Sequence, residues 1–134
     1  MNTIDFKKLD YEISHININD NGDIIIINLI DAPVKYKLEA AGDCCSYSNF
    51  EEYKDYDFSK LSGKIIKGIK EINYPDDDNP NDDDDENDDD ELNYVNTFHL
   101  YEMRFKNSDE LFKFQMVNHS NGYYDGWMNT SIII

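Results

Sequence analysis

The sequence predicts a mainly β domain (α+β by class): an antiparallel sheet of about six or seven strands, one short helix and a disordered acidic loop. Three observations predict it. Apolar residues recur with a period of two in several short runs. Isoleucine and ring-bearing residues, which suit a pleated surface, dominate those runs. Turn-forming residues such as Asn21-Gly22 and Asn107-Ser108-Asp109 separate them.

Taken in order, Ile13, Ile16 and Ile18 lead into Asn21-Gly22, and Ile24 to Ile30 follow. Asn-Gly between β-branched runs predicts a hairpin with a type I′ turn, which needs positive φ at both central residues. Ile24 to Leu29 is apolar on both faces, so that strand is expected to be central or covered on both sides. Asp31-Ala32-Pro33 ends it. Val34, Tyr36 and Leu38 alternate with Lys35, Lys37 and Glu39, which predicts a strand with one wet face. Ser48-Asn49-Phe50-Glu51 fits a capping box, so a short helix is expected through Tyr53. In Lys64 to Ile72 the isoleucines suit either period, but Gly68 weakens a helix, so the segment is read as a strand that has room for a bulge. Thr97 to Phe105 and Leu111 to Val117 form a second hairpin. Tyr101, Met103 and Phe105 share one face, and Phe112, Phe114 and Met116 share another. Ser131 to Ile134 is expected to be a last edge strand.

A chain of 134 residues fits one domain, 1–134. The longest apolar run, Ile24 to Ile30, is far short of the roughly 20 residues of a membrane helix, and no secretory leader is evident. Two neighbouring cysteines do not make a disulfide scaffold. The expectation is a soluble intracellular protein without a membrane partner. The formal charge of -17 is concentrated. Asp76 to Glu91 holds 12 acidic residues, and removing them leaves -5 on the rest. Such a tract repels itself and cannot be buried, so 75–92 is read as a disordered insertion within the domain. The 12 Lys and Arg are scattered, which argues against direct nucleic-acid contact.

Two segments are polar, glycine-containing and not required by any core: Gly42-Asp43-Cys44-Cys45-Ser46, and Asn118 to Trp127. Shared metal ligation by Cys44 and Cys45 is disfavoured, because neighbouring side chains on an extended backbone point to opposite sides. His15, His99 and His119 show no paired spacing. Asp82 to Glu91 lacks the glycine that an EF-hand needs. No metal and no cofactor are therefore assigned. A nucleophilic thiol would need Cys44 or Cys45 beside His119, with Asp125 orienting the histidine. The competing reading is a binding surface made of Asp43, Cys44, Cys45, Ser46, Ser120, Asn121, Tyr123, Tyr124 and Trp127, whose rings and polar groups suit a small molecule or a partner protein.

The order Gly-Asp-Cys-Cys-Ser-x-Ser-x-Phe-Glu, then Leu61-Ser62-Gly63 and an Ile-rich strand, then Ser120-Asn121-Gly122-Tyr123-Tyr124-Asp125-Gly126, resembles a family of small uncharacterised proteins of bacteriophages and large DNA viruses. The likeness spans roughly Ala40 to Trp127 apart from the acidic tract. Asp125 stands where the family tends to have a glycine. The abundance of Asn, Asp, Ile and Tyr is similar to that of proteins from AT-rich genomes, giant viruses of amoebae among them. The resemblance implies no activity and supplies no catalytic residues. With the two polar, glycine-containing loops, the expectation is a non-enzymatic viral accessory protein in the host cytoplasm, with the virion left open, which binds a small molecule or host protein through those loops. A cysteine-dependent enzyme and an acidic nucleic-acid mimic that binds basic proteins are the alternatives.

Overall fold

The computed structural model describes residues 9–43, 46–54, 56–75, 95–120 and 126–133. Among these residues, eight strands form two antiparallel sheets. The first sheet has the order β1 (Ile13–Ile18), β2 (Ile24–Leu29), β3 (Lys35–Gly42), β8 (Gly126–Ile133). The second has the order β4 (Tyr47–Glu52), β7 (Leu111–Ser120), β6 (Val95–Phe105), β5 (Ile66–Ile72). The mainly β, antiparallel expectation holds. The expected single sheet is corrected to two four-stranded sheets. Alternation reports which face of a strand is buried, not which strand lies beside it, so the change of sheet between β3 and β4 left no periodic trace.

The short helix expected from Ser48 is also corrected. Tyr47–Glu52 is a strand paired with β7 from Tyr47–His119 to Glu52–Phe114. Ser48 and Phe50 are buried while Tyr47, Glu51 and Glu52 are exposed, so the same four letters that fit a capping box also fit a period of two. Pairing along β7 decides between them. A single 3-10 turn, Phe58–Leu61, is the helical element among the described residues, and Asp57 caps it by accepting from Ser59 N–H at 2.9 Å. That bond lowers the Asp57 pKa.

The first hairpin closes differently from the type I′ expectation. Gly22 N–H donates to Asn19 carbonyl at 3.0 Å, and Gly22 alone of that loop has positive φ, +76°. Asn19 Oδ1 accepts from the Asp23 and Ile24 amides, both at 3.0 Å. The expected bulge is present, between Ile66 and Gly68 in the β5–β6 ladder. The second hairpin turns through Asn107, whose φ is +58°. The last edge strand is longer than expected and runs from Gly126 to Ile133. The acidic residues 76–91 lie outside the described set.

The inner faces of the two sheets make one core. Ile13, Ile25, Ile27 and Leu38 meet Phe50, Phe112, Phe114, Met103 and Met116. The rings pack at offset or tilted angles, with Phe58–Phe112 centroids at 5.1 Å and Tyr101–Phe114 at 5.5 Å. Burial, then the nearby Tyr11 and Asp10, pushes the Tyr36 phenol up to about 12. A smaller cluster of Tyr53, Tyr74 and Leu100 covers the outer face of the second sheet, and Tyr74 Oη donates to Gln115 Oε1 at 2.8 Å. Burial raises the Tyr74 pKa as well. One flank of the layers is stitched by backbone bonds: Ile13 N–H donates to Lys64 carbonyl and Gly63 N–H to Ile13 carbonyl, each 2.8 Å. No helix among the described residues is long and apolar enough to cross a membrane.

Candidate functional site

The chain passes from one sheet to the other at two connections, residues 43–46 and 121–125. Pairing places the strand ends that these connections join side by side. Gly42 at the end of β3 pairs with Gly126 at the start of β8, and Tyr47 at the start of β4 pairs with His119 near the end of β7. The same end of the molecule receives one foot of the acidic insertion, because Val95 pairs with Ser120. Three segments singled out by composition thus leave the sheets at one corner.

A polar cluster holds that corner from within. Asn118 is fully buried, and its Nδ2 donates to Ser48 Oγ at 2.9 Å and Ser46 Oγ at 3.3 Å. Ser48 Oγ donates to the Ala41 carbonyl at 2.9 Å. Ser46 donates twice to the Asp43 carbonyl, from its N–H at 3.1 Å and its Oγ at 2.8 Å. These bonds tie β3, β4 and β7 together across the change of sheet. Asn118 Oδ1 has no hydrogen-bond partner among the described residues, which is a rare state for a buried amide. The two glycines are there because nothing larger fits. A Cβ on Gly126 would stand 2.7 Å from Ala41 O, and one on Gly42 would stand 2.7 Å from Ser46 Oγ.

Aromatic rings flank the cluster outside. Tyr47 is 65% exposed and stacks on His119, with centroids at 4.5 Å and planes at 24°. His119 Nε2 lies 3.0 Å from Asn49 Oδ1 on the neighbouring strand, which fixes the ring under the tyrosine. Trp127, 44% exposed, projects from the outer face of the first sheet beside Ala41.

Of the residues chosen from sequence, Asp43, Ser46, His119 and Trp127 stand at this corner, and the backbone of Ser120 ends β7 there. Cys44, Cys45, Asn121, Tyr123, Tyr124 and Asp125 belong to its two connections and lie outside the described residues. Asn49 orients His119, the part assigned to Asp125 in the thiol scheme. His15 pairs with Ser14 Oγ at 3.0 Å and His99 with Glu71 Oε2 at 2.9 Å, each in its own surroundings. Among the described residues no three His, Cys, Asp or Glu side chains are grouped to hold a metal.

Sequence reasoning named Asn118 only as the start of a polar segment, gave Ser48 and Asn49 to a capping box, and missed Tyr47. Asn118 had a usable signal. It follows Phe112, Phe114 and Met116 on the same face, so an amide there had to be buried and paired. Two clefts around Phe105, one of about 360 Å³ lined by Tyr56, Lys60, Lys64 and Phe112, lie at the opposite end of β6 and β7.

The fold and site define a small antiparallel β domain of two sheets, hinged at one polar corner and carrying exposed rings beside it. No family model matches the chain, and no solved structure matches it. It is 33% identical over 120 residues to the uncharacterised protein L278 of Acanthamoeba polyphaga mimivirus, with 87% of this chain and 84% of that protein covered. The chain belongs to the family of that giant-virus protein.

Proposed function

We propose that this is a viral accessory protein whose corner binds a protein of the host cell, without catalysing a reaction. The observation that carries the reading is the Tyr47–His119 stack, held by Asn49 and open to solvent at the end of β4 and β7. A rigid, exposed aromatic pair offers large contact area at little entropic cost, the usual makings of an interface hot spot. Trp127 on the other flank adds a second anchor. The buried Asn118 amide ties the flanks together, so the rings are presented by a fixed frame rather than a loose loop.

The test is capture from lysates of Acanthamoeba cells, comparing the wild-type chain with Tyr47→Ala and Trp127→Ala and reading proteins by mass spectrometry. A hot-spot ring costs about 2 kcal/mol or more, so Tyr47→Ala should deplete the partner by roughly thirtyfold. Equal capture by wild type and both variants rejects the corner. Loss of capture only on deletion of Asp76 to Glu91 would transfer the role to the acidic tract, as a mimic of nucleic acid.

One observation favours a second reading. His119 is already oriented by Asn49, and its ladder partner Tyr47 is two residues from Cys45. A thiol activated by such a histidine would label with iodoacetamide unusually fast at neutral pH and would slow in His119→Ala. Ordinary labelling rates remove this reading.

A further inference from the structure

The four edge strands are not treated alike. β1 is bonded to residues 63–65, through Ile13 and the Glu12–Ile65 bridge. β4 donates from Phe50 N–H to the Gly22 carbonyl at 2.7 Å and ends in Glu51-Glu52. β5 carries Lys67, Lys70 and Glu71 and is kinked by its bulge. Charges, bulges and covering segments are the devices that keep an edge from pairing with another chain. Among the described residues β8 has none of them. Gly126–Ile133 contains no charge and no proline, in a protein of formal charge -17. It pairs with β3 over eight successive positions without a shift, so it is also regular.

We propose that β8 pairs antiparallel with β8 of a second copy of this chain, which joins two four-stranded sheets into one of eight. The register follows from the faces. Met128, Thr130 and Ile132 lie opposite Ala40, Leu38 and Tyr36 on the inner face, while Trp127, Asn129, Ser131 and Ile133 lie on the outer face. Residues directly opposite each other in an antiparallel ladder share a face. A two-fold axis through Thr130 meets that condition. It sets Trp127 against Ile133 of the second copy, Asn129 against Ser131 and Met128 against Ile132. Every pair is apolar with apolar or polar with polar, so the strand complements itself, as an isologous interface requires.

Sedimentation of the full chain over a concentration series tests the pairing. The expected mass rises toward twice 15.7 kDa. Asn129→Lys with Ser131→Lys sets like charges opposite each other and should leave a monomer at every concentration. Asn129→Lys with Ser131→Glu sets opposite charges there and should restore the dimer. Hydrogen exchange on the wild-type chain gives an independent reading: β8 amides should slow as concentration rises, with the Tyr47 flank unaffected. A full chain that stays monomeric overturns the proposal, as does a dimer indifferent to the paired lysines, or equal loss in both double variants. Tyr47 is untouched throughout, so failure here leaves the corner reading standing.

Discussion

Within three alternate residues, the inner face of β7 changes its chemistry. Phe114 and Met116 are fully buried among rings and isoleucines, and Asn118, equally buried, sits in a net of hydroxyls and a backbone carbonyl. The dry region holds the sheets together by area and packing density, which are tolerant of detail. The polar corner holds them by named bonds at fixed distances. The difference teaches where specificity resides. The core accounts for why the sheets face each other, and the corner for why the chain crosses between them at residues 43–46 and 121–125 rather than elsewhere.

The largest effect is expected in the dry region. Phe114 touches Phe50, Phe58, Tyr101 and Phe112, so Phe114→Ala opens a cavity among four rings. Such truncations cost about 3–5 kcal/mol. Urea unfolding should show that loss as a lowered midpoint with an unchanged slope. A loss below about 1 kcal/mol would mean that the rings are not packed as described.

The corner should fail in the opposite sense, by crowding. Gly126→Ala drives a methyl against the Ala41 carbonyl at 2.7 Å, a backbone atom that cannot swing away. Overpacking of this kind costs about 1–3 kcal/mol. Gly42→Ala meets Ser46 Oγ at 2.7 Å and Asn118 Nδ2 at 2.9 Å. Those are side-chain ends, and Ser46 can rotate at the expense of one bond, so its cost should be the smaller of the two. Unfolding midpoints should therefore fall in the order Gly126→Ala, then Gly42→Ala. The reverse order would show that the corner yields at β3 and not at β8.

Alkaline pH separates the regions again. The Tyr36 phenol stays protonated up to about 12 in the fold, against 10.0 for an ordinary tyrosine. The folded state therefore holds a proton that the unfolded state releases first, and stability is complete below about pH 10 and falls as pH rises toward 12. Tyr36→Phe should flatten that decline in chemical unfolding measured across this range. The same slope in both proteins would place the alkaline loss on other tyrosines, Tyr74 foremost, since burial raises it too.

What was legible in the sequence follows the same division. Local periodicity recovered β1, β2, β3, β6 and β7, because each is written in neighbouring letters, while the place of the β5 bulge came only from its pairing with β6. Ser48 was misread because its decisive partner, Asn118, is 70 residues away. The meeting of the two glycine-containing segments was legible only as a possibility, since Gly42 and Gly126 become neighbours through the β3–β8 ladder. Tyr47 gave no signal at all: its importance comes from lying across from His119, and nothing local marks that.

The smallest expected effect completes the glycine comparison. Gly68 lies at the β5 bulge with open space where a Cβ would stand, and its φ is not in the left-handed region. Gly68→Ala removes freedom from the unfolded chain and meets nothing in the folded one, so it should stabilise by about 0.4–1 kcal/mol. Set beside Gly126→Ala, the same added methyl then changes sign with its surroundings alone. If Gly68→Ala instead destabilises as much as Gly126→Ala, the corner glycines owe their presence to backbone conformation and not to the close approach of Ala41 and Asn118.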